Sequence, residues 1–319
     1  MHILIANNLP IPALKYGGTE RVIWWLGKEL ARRGNKVTYL VPQGSYCNFA
    51  DVLRIRIDQP IAEQIPSDVD LVHSNFPILQ ELPKPFLVTM HGYNPKGGTF
   101  DRNTVFVSKR HAELHHAEAF VYNGLDPEEY GQFDPDAKRV HILFLAAITR
   151  VEKNLLGAIS IAKKAKRNLA IIGGNKFSLS RRIRYYGLIG GEEKNELLRT
   201  SSALLFPVTW DEPFGLAVIE SLYHGAPVIA TPFGALQEIV SEDVGVLTGS
   251  MHELVEAAKD HSRFDRQRCH DYVMSRFTSV QMTDSYLALY DNLLSGQSLN
   301  KSDPYFKSES FTEKYPLFP

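Results

Sequence analysis

Cysteine is scarce in this chain of 319 residues, which contains only Cys47 and Cys269. The two lie far apart and belong to no Cys-x-x-Cys or Cys/His spacing. A disulfide framework and a structural zinc site are therefore not expected, and a reducing compartment fits. An excess of one charge is also missing, because 35 Lys and Arg are balanced by 36 Asp and Glu. This balance argues against a globally basic protein that binds nucleic acid.

Long hydrophobic runs are absent as well. No apolar run approaches the length of about 20 residues that spans a bilayer, and the amino terminus lacks the features of a secretory signal. We expect a cytoplasmic protein, with peripheral contact at the inner face of the membrane left open. The 44% of hydrophobic and 22% of charged residues are ordinary for a globular protein, and the length favours two domains.

Short apolar runs alternate with helical patterns along most of the chain. A helix is predicted over residues 19–33, and another over 155–166. Continuous apolar strands separated by helices indicate parallel sheets that are covered on both faces. The predicted strands comprise residues 2–6, 36–41, 70–73, 85–91, 104–108, 120–122, 140–148, 169–172, 202–208, 227–230 and 244–247.

A polar stretch near residues 134–136 divides this alternation, which predicts two open α/β domains over 1–137 and 138–276. A helix over 279–294 begins the last segment, 277–319. After Gly296 no periodic face is visible, so a loosely held tail is expected. Two parallel sheets that faced each other would leave a cleft at the carboxyl ends of their strands, where ligands bind.

The first strand-to-helix turn contains Lys15, Tyr16, Gly17 and Gly18 before the helix that starts near Thr19. Two glycines allow a ligand close to the backbone, and free amides at a helix start attract phosphate. The spacing is not the dinucleotide fingerprint GxGxxG. A flexible loop followed by a Thr19 cap remains the alternative.

A second turn, residues 210–215, precedes a helix that reaches about His224. Glu212 falls at the start of this helix, and Glu220 lies about five residues beyond Gly215, or roughly 7 to 8 Å along the axis. One acid would meet a ligand at the helix tip and the other a part lying alongside. Alternatively, Glu212 complements the helix dipole and Glu220 is a solvated acid.

The segment from Glu212 to Glu220 resembles the E-x7-E signature of retaining, nucleotide-sugar-dependent glycosyltransferases with the GT-B fold. It is similar to the family 4-like, group 1 enzymes, which include transferases of lipopolysaccharide, capsule and phosphoinositide synthesis. Other matching segments follow the family order along most of the chain: 16–21, 30–37, 122–126, 225–231, 234–240 and 276–290.

The resemblance implies two Rossmann-like open parallel-sheet domains that face each other across a cleft. The N-terminal domain would take the acceptor, the C-terminal domain the nucleotide-sugar donor, and the helix after residue 277 would return to the N-terminal domain. Glu212 would hold hydroxyls of the transferred sugar and Glu220 those of the ribose. His91, at a predicted strand end, would approach the sugar, although a histidine in such a place is usually structural.

Amides and cations of the same family would hold the donor phosphates. Gly17 and Gly18 would donate amides to the distal phosphate, while the transferred sugar and the phosphates would meet residues at the second helix start: Phe214, Gly215 and Leu216. The family also places an Arg at the end of the first C-terminal strand and a Lys five residues later.

Lys153 fills the Lys position, but Ile148 stands in place of the Arg. Arg150 lies two residues further on, and a guanidinium suits phosphate well. We therefore expect Arg150 to replace the missing group, the alternative being a solvated loop residue.

The activity implied is retaining transfer of a hexosyl unit from a UDP- or GDP-linked sugar to a glycan or glycolipid, in bacterial cell-surface polysaccharide or lipopolysaccharide synthesis. No cofactor, required metal or nucleic-acid partner is expected. Two alternatives share the fold, since fold does not establish function. One is a GT-B sugar-nucleotide epimerase or hydrolase, and the other is a non-catalytic nucleotide-sugar-binding protein.

Two groups of basic and titratable residues fall outside these motifs. Residues 163–184 contain eight Lys or Arg and no acid, which predicts either a solvated helix and loop or a surface for phosphates, acidic acceptors or lipid headgroups. His111, His115 and His116 have no carboxylate or cysteine partners nearby. An exposed helix is expected there rather than a metal site.

Overall fold

The computed structural model describes residues 1–13, 17–56, 58–78 and 80–308. Strands are β1 His2–Ala6, β2 Lys36–Val41, β3 Asp51–Arg54, β4 Leu71–Ser74, β5 Phe86–Met90, β6 Gly98–Thr99, β7 Thr104–Phe106, β8 His141–Leu145, β9 Leu169–Ile172, β10 Ile183–Tyr185, β11 Ser201–Phe206, β12 Val228–Ala230, β13 Gly245–Leu247 and β14 Tyr305–Phe306. Helices are α1 Gly18–Arg32, α2 Lys109–Leu114, α3 Leu155–Lys164, α4 Gly191–Arg199, α5 Leu216–Tyr223, α6 Leu236–Ile239, α7 Met251–Lys259, α8 Arg266–Met274 and α9 Ser279–Leu294.

The described chain divides into two compact units. The first comprises residues 1–13, 17–126 and 279–308, and the second comprises residues 127–278. The first sheet has the strand order β3-β2-β1-β4-β5-β7, and every recorded pairing in it is parallel. The order reverses between β1 and β4, so the carboxyl ends of these strands form the crevice at which doubly wound sheets bind ligands.

The second sheet repeats this plan with the order β10-β9-β8-β11-β12-β13, again parallel throughout its recorded pairs. Its central strand β8 is buried at all five residues, as its apolar sequence requires. The reversal falls between β8 and β11. Two open parallel-sheet domains, the predicted fold class, are thereby confirmed.

Helix α1 shows why the helical predictions near the sheets succeeded. Its buried stripe contains Val22, Ile23, Leu26 and Leu30 at helical spacing, and it packs on β2. The predicted start and end agree with the observed ones to one residue. Such an apolar stripe is the strongest local signal of a helix that covers a sheet.

Helix α9 belongs to the first unit and packs against α1. Its Tyr290 hydroxyl lies 2.7 Å from Nδ1 of His73, and its Tyr286 hydroxyl lies 3.0 Å from Oγ1 of Thr89. His73 Nε2 also reaches Thr89 at 2.8 Å. Burial lowers the pKa of His73 to about 3, so this histidine is neutral at pH 7.

The sequence prediction failed at the margins of the sheets. The edge strands β3 and β10 were not predicted; the four residues of β3 are all exposed, so no buried apolar run marks it. Residues 120–122 were predicted as a strand, but among the described residues they pair only through a bridge from Phe120 to Phe106.

The expectation of a loosely held tail is wrong for residues 297–308. Asn300 donates to the carbonyls of Arg102 and Thr104, each at 2.8 Å, and accepts from the amide of Ala119. Strand β14 then pairs with β6. Side-chain hydrogen bonds and a two-residue strand leave no periodic signature, which is why the sequence pattern missed them. Residues 309–319, including Phe311 and the last five residues, lie outside the described residues.

The predicted exposed helix at His111 and His115 is also wrong. Both rings are fully buried. His115 stacks on Phe306 with centroids 4.8 Å apart and lies 4.4 Å from the Phe106 ring. Burial lowers the pKa of His115 to about 4. The two histidines thus act as neutral aromatic core residues, and β14, which the pattern missed, covers them.

Candidate active site

Two loops follow the carboxyl ends of β8 and β11, where the strand order of the second sheet reverses. The loop after β8 contains a 3₁₀ turn, Val151–Lys153, and ends at Asn154, which caps α3 by accepting from the amide of Gly157 at 2.9 Å. The other Asn154 group donates to the carbonyl of Pro207 at 2.9 Å. One buried side chain therefore holds both loops together.

An ion pair occupies this point. Nζ of Lys153 donates to both carboxylate oxygens of Glu212, at 2.8 and 2.6 Å. The indole of Trp210 donates to the same carboxylate at 2.7 Å, and Lys153 lies 4.9 Å from the centroid of its ring. The side chains of Lys153 and Glu212 are only 15% and 7% exposed. Their charges are thus held in place and largely desolvated.

Arg150 lies on the same indole, with Cζ 5.3 Å from the Trp210 centroid, and its guanidinium is bonded to Glu152. Its side chain is 53% exposed, so it can rearrange at small cost. The Ile148 side chain instead packs against Gly174, where an added Cβ would lie 2.5 Å from Cγ1 of Ile148. Arg150 therefore lies near Lys153 on the Trp210 ring, and its replacement of the missing Arg toward phosphate stays a prediction.

The loop after β11 is fixed from behind. Gly234 forms a bridge with Glu212, and a Cβ added there would lie 2.2 Å from the Glu212 nitrogen, so only glycine allows this approach. The carbonyl of Glu212 accepts from the amide of Ala235 at 2.9 Å, and Asp211 accepts from the amide of Gly234. Glu212 consequently has a fixed backbone as well as a fixed carboxylate.

Helix α5 begins directly after this loop. Gly215 adopts φ 96° at the position before the helix, and no side chain caps the helix start. The first backbone amides of α5 have no partner within the helix and present partial positive charge. Phe214 is buried against Phe277, whereas Leu216 is half-buried. This arrangement suits an anion at the helix start.

Glu220 is neither solvated nor alone. Lys194 of α4 donates to its Oε1 at 2.6 Å, and the Tyr130 hydroxyl donates to the same oxygen at 2.5 Å. The side chains of Lys194 and Glu220 are each 6% exposed. The alternative of a solvated surface acid is therefore wrong. Glu220 belongs to a buried charged cluster with Lys194 and Tyr130.

In the first unit, His91 follows β5 and Asn75 follows β4. His91 Nε2 lies 2.9 Å from Oδ1 of Asn75, and Asn75 donates to the carbonyl of Ala6 at the end of β1 at 3.1 Å. Burial lowers the pKa of His91 to about 4. His91 is thus a neutral, oriented group at pH 7 that can exchange hydrogen bonds with a sugar hydroxyl.

Gly17 and Gly18 stand at the start of α1, as predicted. Buried Glu20 folds back over this start, because a Cβ added at Gly17 would lie 2.5 Å from its Oε2. This carboxylate complements the helix dipole. The contact with phosphate stays a prediction, and Lys15 and Tyr16 lie outside the described residues.

Within the second unit the fold brings together Lys153, Arg150 and Glu212, with Glu220 further along the adjoining helix. Sequence reasoning missed the side chains that hold them, Trp210 and Lys194. Trp210 could have been identified from its position two residues before Glu212. Lys194 carried no signal, because a lysine in a helix is usually exposed.

Neither metal ligands nor a membrane span stand out. Across residues 1–13, 17–56, 58–78 and 80–308, no group of three His, Cys, Asp or Glu side chains is placed to share a metal ion. None of the helices in this part of the chain is long and apolar enough to cross a membrane.

Comparison with known proteins points to one family. Residues 127–263 match the family model described as Glycosyl transferases group 1. A protein of the cps region of Klebsiella pneumoniae is 26% identical over 167 residues, which cover 48% of this chain and 46% of that protein. The chain spans about half the length of these curated relatives.

Solved structures agree over nearly the whole chain. AviGT4, a glycosyltransferase involved in avilamycin A biosynthesis, is 22% identical with a TM-score of 0.76, covering 93% of this chain and 99% of its own. Anabaena Alr3699/HepE in complex with UDP-glucose is 16% identical with a TM-score of 0.67, covering 92% and 100%. The chain therefore has the GT-B fold, and its second unit carries a glycosyl transferases group 1 domain.

Proposed function

We propose that this protein is a retaining glycosyltransferase that moves a hexosyl unit from a nucleotide sugar to a glycan or glycolipid acceptor. The observation that carries the proposal is the buried pair of Lys153 and Glu212 beside the start of α5. This pair lies at the strand reversal of a sheet within the group 1 domain, where such folds bind ligands. The Anabaena neighbour, solved with UDP-glucose, supports a nucleotide-sugar donor.

The chemistry assigns each group a task. Breaking the bond between the anomeric carbon and the phosphate oxygen leaves the electron pair on the nucleoside diphosphate. Lys153, Arg150 and the α5 amides would stabilise that charge, since preorganised donors in a desolvated site act most strongly on developing charge. The acceptor hydroxyl forms the new bond to the same carbon, on the face that the diphosphate leaves, and passes its proton to an oxygen of the departing diphosphate.

Two carboxylates would bind the neutral parts of the donor. Glu212, held by Lys153 and Trp210, can accept hydrogen bonds from hydroxyls of the transferred sugar. Glu220, five residues into α5, would receive those of the ribose. His91, neutral and oriented by Asn75, would bond to a further hydroxyl of the sugar, and Gly17 and Gly18 would meet the distal phosphate.

No metal is required in this proposal, because the two basic side chains neutralise the leaving diphosphate. We place the reaction on the cytoplasmic side of a bacterial membrane, in the synthesis of cell-surface polysaccharide or lipopolysaccharide. The relative from the Klebsiella cps region supports this setting.

The experiment incubates the protein with UDP- or GDP-linked hexoses, after a thermal-shift comparison of UDP, GDP and ADP identifies the nucleotide. A ligand at about 100 times its Kd stabilises the folded state by roughly 2.7 kcal/mol. Slow release of nucleoside diphosphate that a suitable acceptor accelerates would support transfer. Epimerised sugar, or release that no acceptor accelerates, would favour the epimerase or hydrolase. Binding without turnover would favour a non-catalytic protein.

A further inference from the structure

The connection between β9 and β10 leads into the edge strand of the second sheet. Its base is closed by a bridge from Gly174 to Gly187. The Ser178 and Ser180 hydroxyls accept from the amides two residues further on, at 3.2 and 3.3 Å. In the described chain β10 pairs on one side only, with β9. Residues 175–182 are thus an ordered loop on an open edge of the unit.

Two large apolar side chains of this loop point into solvent. Phe177 is 89% exposed and Leu179 is 88% exposed. An isolated exposed apolar residue is ordinary on a protein surface. Here two almost fully exposed apolar side chains lie two residues apart in a loop that is held by its own hydrogen bonds. This arrangement indicates a surface that a binding partner covers.

The surroundings of this apolar pair are cationic. Lys176, Arg181 and Arg182 flank it and are exposed. Arg182 donates to the carbonyl of Lys166 at 3.1 Å, which joins the loop to the basic end of α3. The eight cations of this surface are Lys163, Lys164, Lys166, Arg167, Lys176, Arg181, Arg182 and Arg184.

Seven of these eight cations are exposed, and the eighth, Arg167, is half-buried and donates to the Ser202 hydroxyl at 3.4 Å. Among residues 1–13, 17–56, 58–78 and 80–308, none of the eight makes a salt bridge with a carboxylate. The pKa of Asp260 is lowered mainly by hydrogen bonds from Ser262 and, to a smaller extent, by the charge of Arg167. The loop and the end of α3 therefore form one positive surface, here called the basic loop surface, with an apolar tip.

We propose that the basic loop surface docks the second unit on an anionic lipid bilayer. Anionic headgroups attract each Lys or Arg near the membrane, strengthening binding about fivefold per cation. The boundary between headgroups and acyl chains accepts side chains such as Phe177 and Leu179. A nucleic acid would use the charge and could stack on Phe177, but it has no use for an exposed leucine. The lipid surface satisfies both features, and this docking does not depend on the proposed catalysis.

The test is co-sedimentation of the full chain with vesicles of phosphatidylcholine, alone or mixed equally with phosphatidylglycerol. The wild type should pellet with the anionic vesicles only. Lys176→Ser with Arg181→Ser should weaken partition about 25-fold, from two cations at about fivefold each. Phe177→Ser with Leu179→Ser should weaken it at least about tenfold, through lost apolar burial. The matched control is Leu156→Ser, which removes a side chain that is 77% exposed elsewhere in the unit.

Insertion is measured separately with single tryptophans. Phe177→Trp should shift its emission to shorter wavelength on anionic vesicles, whereas Leu156→Trp should not, and circular dichroism checks that each variant folds. Equal pelleting of wild type and both loop variants would overturn the proposal. So would an unshifted Phe177→Trp, or binding of a DNA duplex without binding to anionic vesicles.

Discussion

Replacing Lys194 by methionine should destabilise the second unit strongly. Methionine fills a similar volume but removes the ammonium that lies 2.6 Å from Oε1 of Glu220. The carboxylate would then remain buried without this cation, while the Tyr130 hydroxyl still donates to it at 2.5 Å. Both charged side chains are 6% exposed, so water cannot replace the missing cation without local opening.

The size of the effect follows from this burial. Breaking a buried ion pair by removing one partner costs about 3 to 5 kcal/mol, mainly because one charge is left uncompensated. Lys194→Met combined with Glu220→Gln removes both charges and should recover most of that loss, while the glutamine oxygen can still accept from Tyr130. The control Lys259→Met breaks the ion pair between Lys259 and Glu256, whose two side chains are 47% and 51% exposed. Because water screens such a pair, this substitution should leave the stability nearly unchanged.

Urea unfolding followed by circular dichroism measures these differences, and calorimetry separates the transitions of the two units. For a unit of this size, 1 kcal/mol corresponds to about 2 to 4 °C in Tm. A loss below about 1 kcal/mol in Lys194→Met, or a double variant no more stable than the single one, would refute the reasoning from burial.

Three further outcomes follow from the site and its surroundings. Lys153→Ala and Arg150→Ala should each lower initial rates substantially at saturating donor, whereas Ile148→Val should not; a wild-type rate in Arg150→Ala would leave the diphosphate to Lys153 and backbone amides. His73 should make the first unit less stable in acid, because its folded pKa is about 3 and only the unfolded chain takes up the proton as the pH falls through 6.5. The loss is about 2 kcal/mol between pH 7.5 and pH 5, so His73→Gln should show a flatter dependence in urea unfolding, and an unchanged slope would contradict the burial of the neutral ring. Transferase activity should survive EDTA, and a loss restored by Mg²⁺ or Mn²⁺ would mean that Lys153 and Arg150 do not suffice.

Most of the fold could be predicted from periodicity, because strands buried on both faces appear as continuous apolar runs. Strands β1, β2 and β9 were predicted at their observed bounds. The edge strand β3 was missed because all four of its residues face solvent. Pairing of β14 with β6 joins segments about 200 residues apart and involves two residues of each. No local pattern can contain that information.

The candidate site was partly visible in the sequence. Gly215 before a helix and Glu212 at its start could be placed by spacing and by the family resemblance, and Lys153 by the resemblance alone. The partners of these groups could not be placed. Lys194 reaches Glu220 from another helix, and Asn75 reaches His91 from another strand. Both contacts depend on tertiary packing rather than on local sequence.

The most direct test of the proposed glycosyl transfer is the initial rate of sugar transfer from the preferred nucleotide sugar in wild type, Glu212→Ala and Glu220→Ala. If Glu212 acts on the reacting sugar, Glu212→Ala should lower turnover at saturating donor by about 10²-fold or more. Glu220→Ala should mainly raise the KM for the donor, with its fold checked separately because it breaks the pair with Lys194. Wild-type turnover in both folded variants would contradict the assignment of this site to glycosyl transfer.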